Sequence, residues 1–72
     1  MERKSLLDAA IVRIMKAKKQ MTHQALINET VDVMKKHFQP DVSTIKTRFE
    51  KLIEQEYMRR DEDTQNVYFY VA

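Results

Sequence analysis

The sequence predicts one small α+β domain that is mainly helical, with three helices followed by a C-terminal β-hairpin. Three observations support this prediction. Apolar residues recur at helical spacing in three segments, the periodicity changes after Glu56, and 72 residues are enough for one domain only. The chain has no Cys, so neither a disulfide framework nor a thiolate metal site can stabilise it. Its stability must therefore come from one small core of packed helices.

The first predicted helix runs from about Arg3 to Lys19. Its apolar residues recur at i, i+3, i+4, i+7 and i+8 and so share one face: Leu7, Ala10, Ile11, Ile14 and Met15. Residues 20–21 follow as a short extended segment, and Thr22 is a suitable N-cap for the second helix. The apolar face of that second helix is expected to contain Leu26, Ile27, Thr30, Val31, Met34 and Phe38.

The only proline, Pro40, marks the break after the second helix. Either Asp41 or Ser43 can cap the third helix. The buried face of the third helix is expected to contain Ile45, Phe49, Leu52 and Ile53. Segments 57–60 and 67–71 are rich in aromatic and β-branched residues and flank a six-residue polar loop, which indicates a hairpin. This element order is that of a winged helix, and residues 1–72 are assigned to one such domain.

Side chains that commonly carry catalysis or bind metals are few in this chain. His23 and His37 lie 14 positions apart with no Cys between them, so no metal site is expected. The chain has no glycine and therefore no glycine-rich phosphate loop, and no nucleophilic triad is recognisable. The sequence predicts no catalytic centre and no cofactor. No apolar run approaches the roughly 20 residues of a membrane span, and no membrane association is expected.

Nucleic-acid binding is the alternative function, because winged helices often bind DNA through their third helix. Phosphate contacts supply much of the affinity for DNA and need a positively charged contact surface. In segment 43–56, however, three basic residues are balanced by three glutamates. The hairpin loop begins with Asp61, Glu62 and Asp63, where a DNA-binding loop usually carries basic residues. Direct DNA binding is therefore disfavoured.

Positive charge is concentrated in the first helix. Segment 1–19 holds six basic and two acidic residues, whereas the whole chain has a net charge of +2. In the simplest interpretation these cations form a solvated face and stabilise the helix dipole near its C-terminus. Lys16 is nearly opposite Leu7 and away from Ile11 and Ile14, so its amine is expected to be in water. An exposed amine is suited to modification.

Four stretches of the sequence resemble the last segment of cullins. They are AAIVRIMK (9–16), IKTRFEKLI (45–53), EYMR (56–59) and the ending YFYVA (68–72). The resemblance covers essentially the whole chain and includes the distance from the lysine to the C-terminal Ala. In cullins, the lysine that ends the first stretch accepts a ubiquitin-like modifier through an isopeptide bond, in the reaction called neddylation. The resemblance implies that this acceptor is Lys16.

The resemblance also implies a function and a set of partners. The chain would be the C-terminal regulatory domain of a cullin scaffold in a cullin-RING ubiquitin ligase, a substrate of neddylation and not an enzyme. Attachment of the modifier would activate ubiquitin transfer in the cytoplasm and nucleus. The implied partners are the RING subunit, the neddylation conjugating enzyme, a neddylation-promoting scaffold protein, a cullin exchange factor, the signalosome deneddylase and the ubiquitin-like modifier itself.

The surface around the acceptor and the last strand are the expected contact regions for these partners. The residues expected to contact them are Arg13, Lys19, Tyr68 and Tyr70. For each tyrosine, a cross-strand pair within the hairpin is the alternative. Lys18 stands where cullins more often have Arg and places a second amine two residues from Lys16. Whether one lysine or two accept the modifier is left open.

Overall fold

Three helices and three short strands make up residues 3–64 and 66–71, which the computed structural model describes. In chain order the elements are α1 (Arg3–Lys18), β1 (Gln20–Thr22), α2 (His23–Met34), α3 (Val42–Glu54), β2 (Met58–Arg60) and β3 (Val67–Tyr70). The three helices and the C-terminal hairpin occur in the predicted order. The prediction of a mainly helical α+β fold is confirmed.

The three strands form one antiparallel sheet in the order β1-β3-β2. Strands β2 and β3 are the predicted hairpin, and Met58 pairs with Tyr70 across it. Strand β1 is the predicted extended segment after α1, and Gln20 pairs with Phe69 of β3. The central strand β3 therefore ties the end of α1 to the hairpin, although the two lie almost 50 residues apart in the sequence.

The ends of the helices are formed without glycine. Thr22 caps α2, and its hydroxyl accepts a hydrogen bond from the Ala25 N–H at 3.2 Å. Helices α1 and α3 are each followed closely by a residue with positive φ, Lys19 at 71° and Glu56 at 65°. After α3, the N–H of Glu56 bonds to Ile53 and that of the next residue to Leu52, which is a Schellman motif. Because glycine usually occupies such a position, the sequence did not predict the left-handed conformation of these two residues.

The core lies between the three helices and the inner face of the sheet. Every residue of the predicted apolar face of α1 is buried. Three residues predicted for the apolar faces of the second and third helices are only partly buried and pack at the edge of the core. They are Val31, Phe38 and Ile53. The hairpin also contributes two fully buried side chains, Met58 and Tyr68. The buried hydrophobic residues are Leu7, Ala10, Ile11, Ile14, Met15, Leu26, Ile27, Met34, Ile45, Phe49, Leu52, Met58 and Tyr68.

Three aromatic rings join the helices to the hairpin. Nδ1 of His23 and the hydroxyl of Tyr68 share a hydrogen bond of 2.7 Å. The ring of Phe49 lies edge-on against both, with centroid distances of 5.7 Å to His23 and 5.4 Å to Tyr68. This ring cluster connects the first residue of α2, the middle of α3 and strand β3.

We expect the domain to lose stability as the pH falls below about 6.5, which is the ordinary pKa of a histidine side chain. Burial lowers the pKa of His23, the charges of Lys46 and Arg60 lower it further, and Glu50 opposes them. The unfolded chain therefore binds a proton at His23 more readily than the folded chain does. The contribution of neutral His23 to stability is complete above the ordinary pKa. It is lost as the pH falls through the lower pKa that His23 has in the folded chain. Urea unfolding at a series of pH values between 7.5 and 5 measures this loss.

The second histidine provides a matched control for this prediction. His37 is exposed and follows α2. His23→Gln should make the free energy of unfolding less dependent on pH over this range, whereas His37→Gln should leave the wild-type dependence unchanged. If His23→Gln retains the full wild-type dependence, another group is responsible for it.

Candidate functional site

The C-terminal half of α1 presents its basic residues to solvent. Arg13, Lys16 and Lys18 are all exposed, as the sequence predicts for Lys16. The helix places Lys16 about 200° away from Ile14, which is buried against the core. Among the residues that the structure describes, Lys16 forms no ion pair or hydrogen bond through its side chain. Its amine is thus open to a partner from outside.

Lys19 is placed differently from the lysines of the helix. Its N–H still bonds to the carbonyl oxygen of Met15 at 2.7 Å, but its own φ is 71°, outside the helical region. Its carbonyl oxygen accepts a hydrogen bond from the N–H of Tyr70 at 2.8 Å. Its Nζ lies 5.0 Å from the centroid of the Tyr70 ring. Two of the four residues expected to contact partners are therefore in contact with each other.

An ion pair that the sequence analysis missed anchors α1 to α3. Arg48 donates from Nε and Nη2 to the two carboxylate oxygens of Asp8, at 2.8 Å and 2.6 Å. Both side chains are largely shielded from water, with 15% of Arg48 and 26% of Asp8 exposed. A two-bond arrangement of this kind fixes orientation as well as distance. The only signal for it in the sequence was an isolated carboxylate within a strongly basic helix.

Tyr68, one of the residues expected to contact a partner, is buried within the domain. Its side chain is 1% exposed, and its hydroxyl is bonded to His23. It lies opposite Arg60, whose guanidinium is 5.6 Å from its ring, so the alternative of a cross-strand pair is correct. The inner face of β3, which carries Tyr68, packs against the core, and the expected contact of Tyr68 with a partner stays a prediction. Tyr70 is partly buried beside Lys19 and remains partly accessible.

The charges on the outer face of α3 are neutralised within the domain. Glu50 pairs with Arg60 of β2, and Lys51 lies 3.7 Å from Glu54. Glu62 and Asp63 of the hairpin loop are exposed. This surface lacks the excess of positive charge that phosphate contacts need. This charge pattern does not favour DNA binding by α3.

The described part of the chain gives no sign of a metal site or of a membrane span. Within residues 3–64 and 66–71, no group of three or more His, Cys, Asp or Glu side chains is placed to hold a metal ion. None of the helices in these ranges combines the length and the apolar character needed to cross a bilayer.

Comparison with known proteins assigns the chain to a family. A model of the cullin protein neddylation domain matches residues 2–64. The chain belongs to the cullin family. Cullin-6 of Caenorhabditis elegans is 51% identical to it over 71 residues. Cullin-1 of Oryza sativa subsp. japonica is 46% identical and Cullin-2 of Arabidopsis thaliana 45% identical over the same length. Each of these alignments covers 99% of this chain but only 10% of the relative.

A solved structure supports the same assignment at the level of the fold. The structure is Dcn1(P)-Cdc53(WHB), from work on a dual E3 mechanism for Rub1 ligation to Cdc53. It superimposes on this chain with a TM-score of 0.93 at 38% identity, over 97% of this chain and 80% of the other. The winged-helix fold is thus confirmed, and the chain is a cullin neddylation domain. Nucleic-acid binding is not favoured.

Proposed function

We propose that this cullin domain regulates a cullin-RING ubiquitin ligase and that Lys16 is its acceptor for a ubiquitin-like modifier. The observation that carries the proposal is the exposure of Lys16 on α1, within the 2–64 segment that matches the cullin neddylation domain. The chain spans about one-tenth of the length of its curated relatives, so the activity of the whole protein belongs to this proposal.

The proposed reaction is aminolysis of a thioester. The modifier arrives with its C-terminal carboxyl group joined to the catalytic Cys of a conjugating enzyme. The neutral amine of Lys16 attacks the thioester carbonyl, the C–S bond breaks, and the thiolate leaves as the amide forms. The attacking nitrogen loses one proton, which the thiolate takes up directly or through solvent, and it keeps the other as the amide N–H. The products are an isopeptide bond and a free Cys.

The domain supplies a nucleophile and the surface that presents it. Deprotonating an ordinary lysine side chain costs about 4 kcal/mol near pH 7.4. The conjugating enzyme and the RING subunit have to provide most of the compensation by holding the amine against the carbonyl and excluding water. The core side of α1 and the pair of Asp8 with Arg48 keep the helix in a fixed orientation during that encounter. Arg13 lies one turn before the acceptor and provides a positive contact for such partners.

The proposed partners follow from the cullin assignment. The solved neighbour pairs Dcn1(P) with the WHB domain of Cdc53, which supports a neddylation-promoting scaffold protein as a partner of this chain. We further propose the RING subunit, the conjugating enzyme, an exchange factor that covers the unmodified lysine, and the signalosome that removes the modifier. Once attached, the modifier would free the winged helix from the RING subunit and activate ubiquitin transfer. The cytoplasm and nucleus are the proposed locations.

A reconstituted reaction tests this function. The chain is mixed with ATP, the ubiquitin-like modifier, its activating and conjugating enzymes and the RING subunit, and the products are separated by mass. We expect one dominant adduct that is heavier by one modifier and withstands reducing agent, because an isopeptide bond survives where a thioester does not. Absence of any such adduct with all components active would contradict the proposal.

Binding to duplex DNA separates this function from the nucleic-acid alternative. We expect dissociation constants of about 10⁻⁴ to 10⁻⁶ M, similar for all sequences and steeply weakened by salt. Fluorescence anisotropy titrations at several salt concentrations measure this. Lys18→Gln on α1 should reduce the salt dependence more than Lys46→Gln on α3 does, because positive charge is concentrated on α1. Sub-micromolar affinity for one sequence at physiological salt, abolished by Lys46→Gln, would favour the alternative.

A further inference from the structure

The three lysines at the end of α1 are not equally available, although they lie within four residues. Lys16 and Lys18 are helical and exposed, and no described residue contacts their amines through an ion pair or a ring. The ammonium of Lys19 instead lies 5.0 Å from the centroid of the Tyr70 ring. This distance is within the range of about 6 Å over which a cation is attracted to an aromatic face.

The backbone reinforces the contact between Lys19 and Tyr70. A left-handed φ of 71° is disfavoured for a residue with a Cβ, so neighbouring contacts have to hold it. Two hydrogen bonds do so, from the Lys19 N–H to Met15 and from the Tyr70 N–H to the Lys19 carbonyl. Because Lys19 has left the helix, its side chain does not follow the direction of a helical residue three positions after Lys16. Its Nζ lies over the Tyr70 ring instead.

We propose that Tyr70 is a positioning residue that withholds the Lys19 amine and so restricts modifier transfer to the helical lysines. This inference rests on the proposed function. Transfer needs the nitrogen at the thioester carbonyl, and the contact instead holds the Lys19 nitrogen over the Tyr70 ring. The expected effect of one exposed cation–π contact is a rate lower by about two- to fivefold. The ring thus supplements the geometric choice that the conjugating enzyme makes.

Amine labelling of the whole chain tests the contact without any conjugating enzyme. Limiting acetic anhydride is added, and the rate at each lysine is followed by peptide mass spectrometry. Lys4, which is exposed in the first turn of α1, serves as the internal reference. We expect Lys19 to react about two- to fivefold more slowly than Lys18 in the wild type. Tyr70→Leu should bring the two rates together, and Tyr70→Phe, which keeps the ring, should retain the difference.

The conjugation reaction provides the second arm. In Tyr70→Leu, the product linked through Lys19 should increase about two- to fivefold relative to the product linked through Lys18. Tyr70→Phe should leave that ratio at the wild-type value. If labelling behaves as predicted but no lysine is conjugated, the proposed function fails and the contact stands. If Lys19 and Lys18 label equally fast in the wild type, the present inference fails whatever the conjugation result.

A measurement on the wild type alone tests the contact independently of any folding defect in Tyr70→Leu. The face of an aromatic ring shifts nearby protons upfield in nuclear magnetic resonance spectra. The side-chain methylene protons next to the Lys19 amine should therefore resonate upfield of those of Lys18. Identical shifts for the two lysines would overturn the inference.

Discussion

Replacing Ile11 by Ala should leave a large fraction of the chain unfolded at 37 °C. Ile11 is fully buried in the cluster that also contains Leu26 and Leu52. Truncation of a buried isoleucine to Ala typically costs about 2–5 kcal/mol. A core of this size supports about 3–5 kcal/mol in total. Even the lower cost should reduce the melting temperature by about 8–16 °C.

A second β-branched residue supplies the control for this experiment. Val33 lies on α2, and its side chain is 44% exposed. Val33→Ala removes a similar kind of side chain without opening a cavity, so the free energy of unfolding should change by about 0.5 kcal/mol or less. Circular dichroism melts of both variants measure the difference. If Ile11→Ala has the same melting temperature as the wild type, α1 does not bury the face that the structure describes.

Replacing Lys16 by Arg should abolish the main modifier adduct while leaving the fold intact. The substitution keeps the positive charge and the helix propensity but removes the primary amine, and a guanidinium does not carry out the aminolysis. Because Lys16 is exposed, the melting temperature should stay within error of the wild type. Conjugation should thus fail in Ile11→Ala and in Lys16→Arg for different reasons, loss of the fold in one and loss of the nucleophile in the other.

Lys18→Arg is the matched control for this loss. It lies two residues away on the same helix, is equally exposed, and exchanges the same two functional groups. The yield of the main adduct should be at the wild-type level in Lys18→Arg and near zero in Lys16→Arg. Equal yields in the two variants, both close to the wild type, would show that neither lysine is required.

The periodicity of apolar residues was sufficient to predict the helices, because α-helical burial depends on spacing within one segment. The buried face of α1 and the cap at Thr22 follow directly from local pattern. The predicted extended segment before Thr22 was also found. Its pairing with β3 depends on residues almost 50 positions away, and local pattern carries no signal for that.

The site was predictable only in part. Exposure of Lys16 follows from helical phase, and the structure agrees with it. The burial of Tyr68 does not follow from alternation alone, because both faces of segment 67–71 are apolar and the sequence does not specify which faces the core. The conformation of Lys19 was also missed, since it ends a helix where glycine would usually give the signal.

Mapping the attachment site on the wild-type chain tests the central claim most directly. The adduct from the complete conjugation reaction is digested with trypsin, and the lysine that carries the remnant of the modifier is identified by tandem mass spectrometry. We expect the remnant on Lys16, with trypsin unable to cleave after that residue. A main product that carries the remnant on Lys18 or Lys19, with Lys16 unmodified, would contradict the assignment of the acceptor.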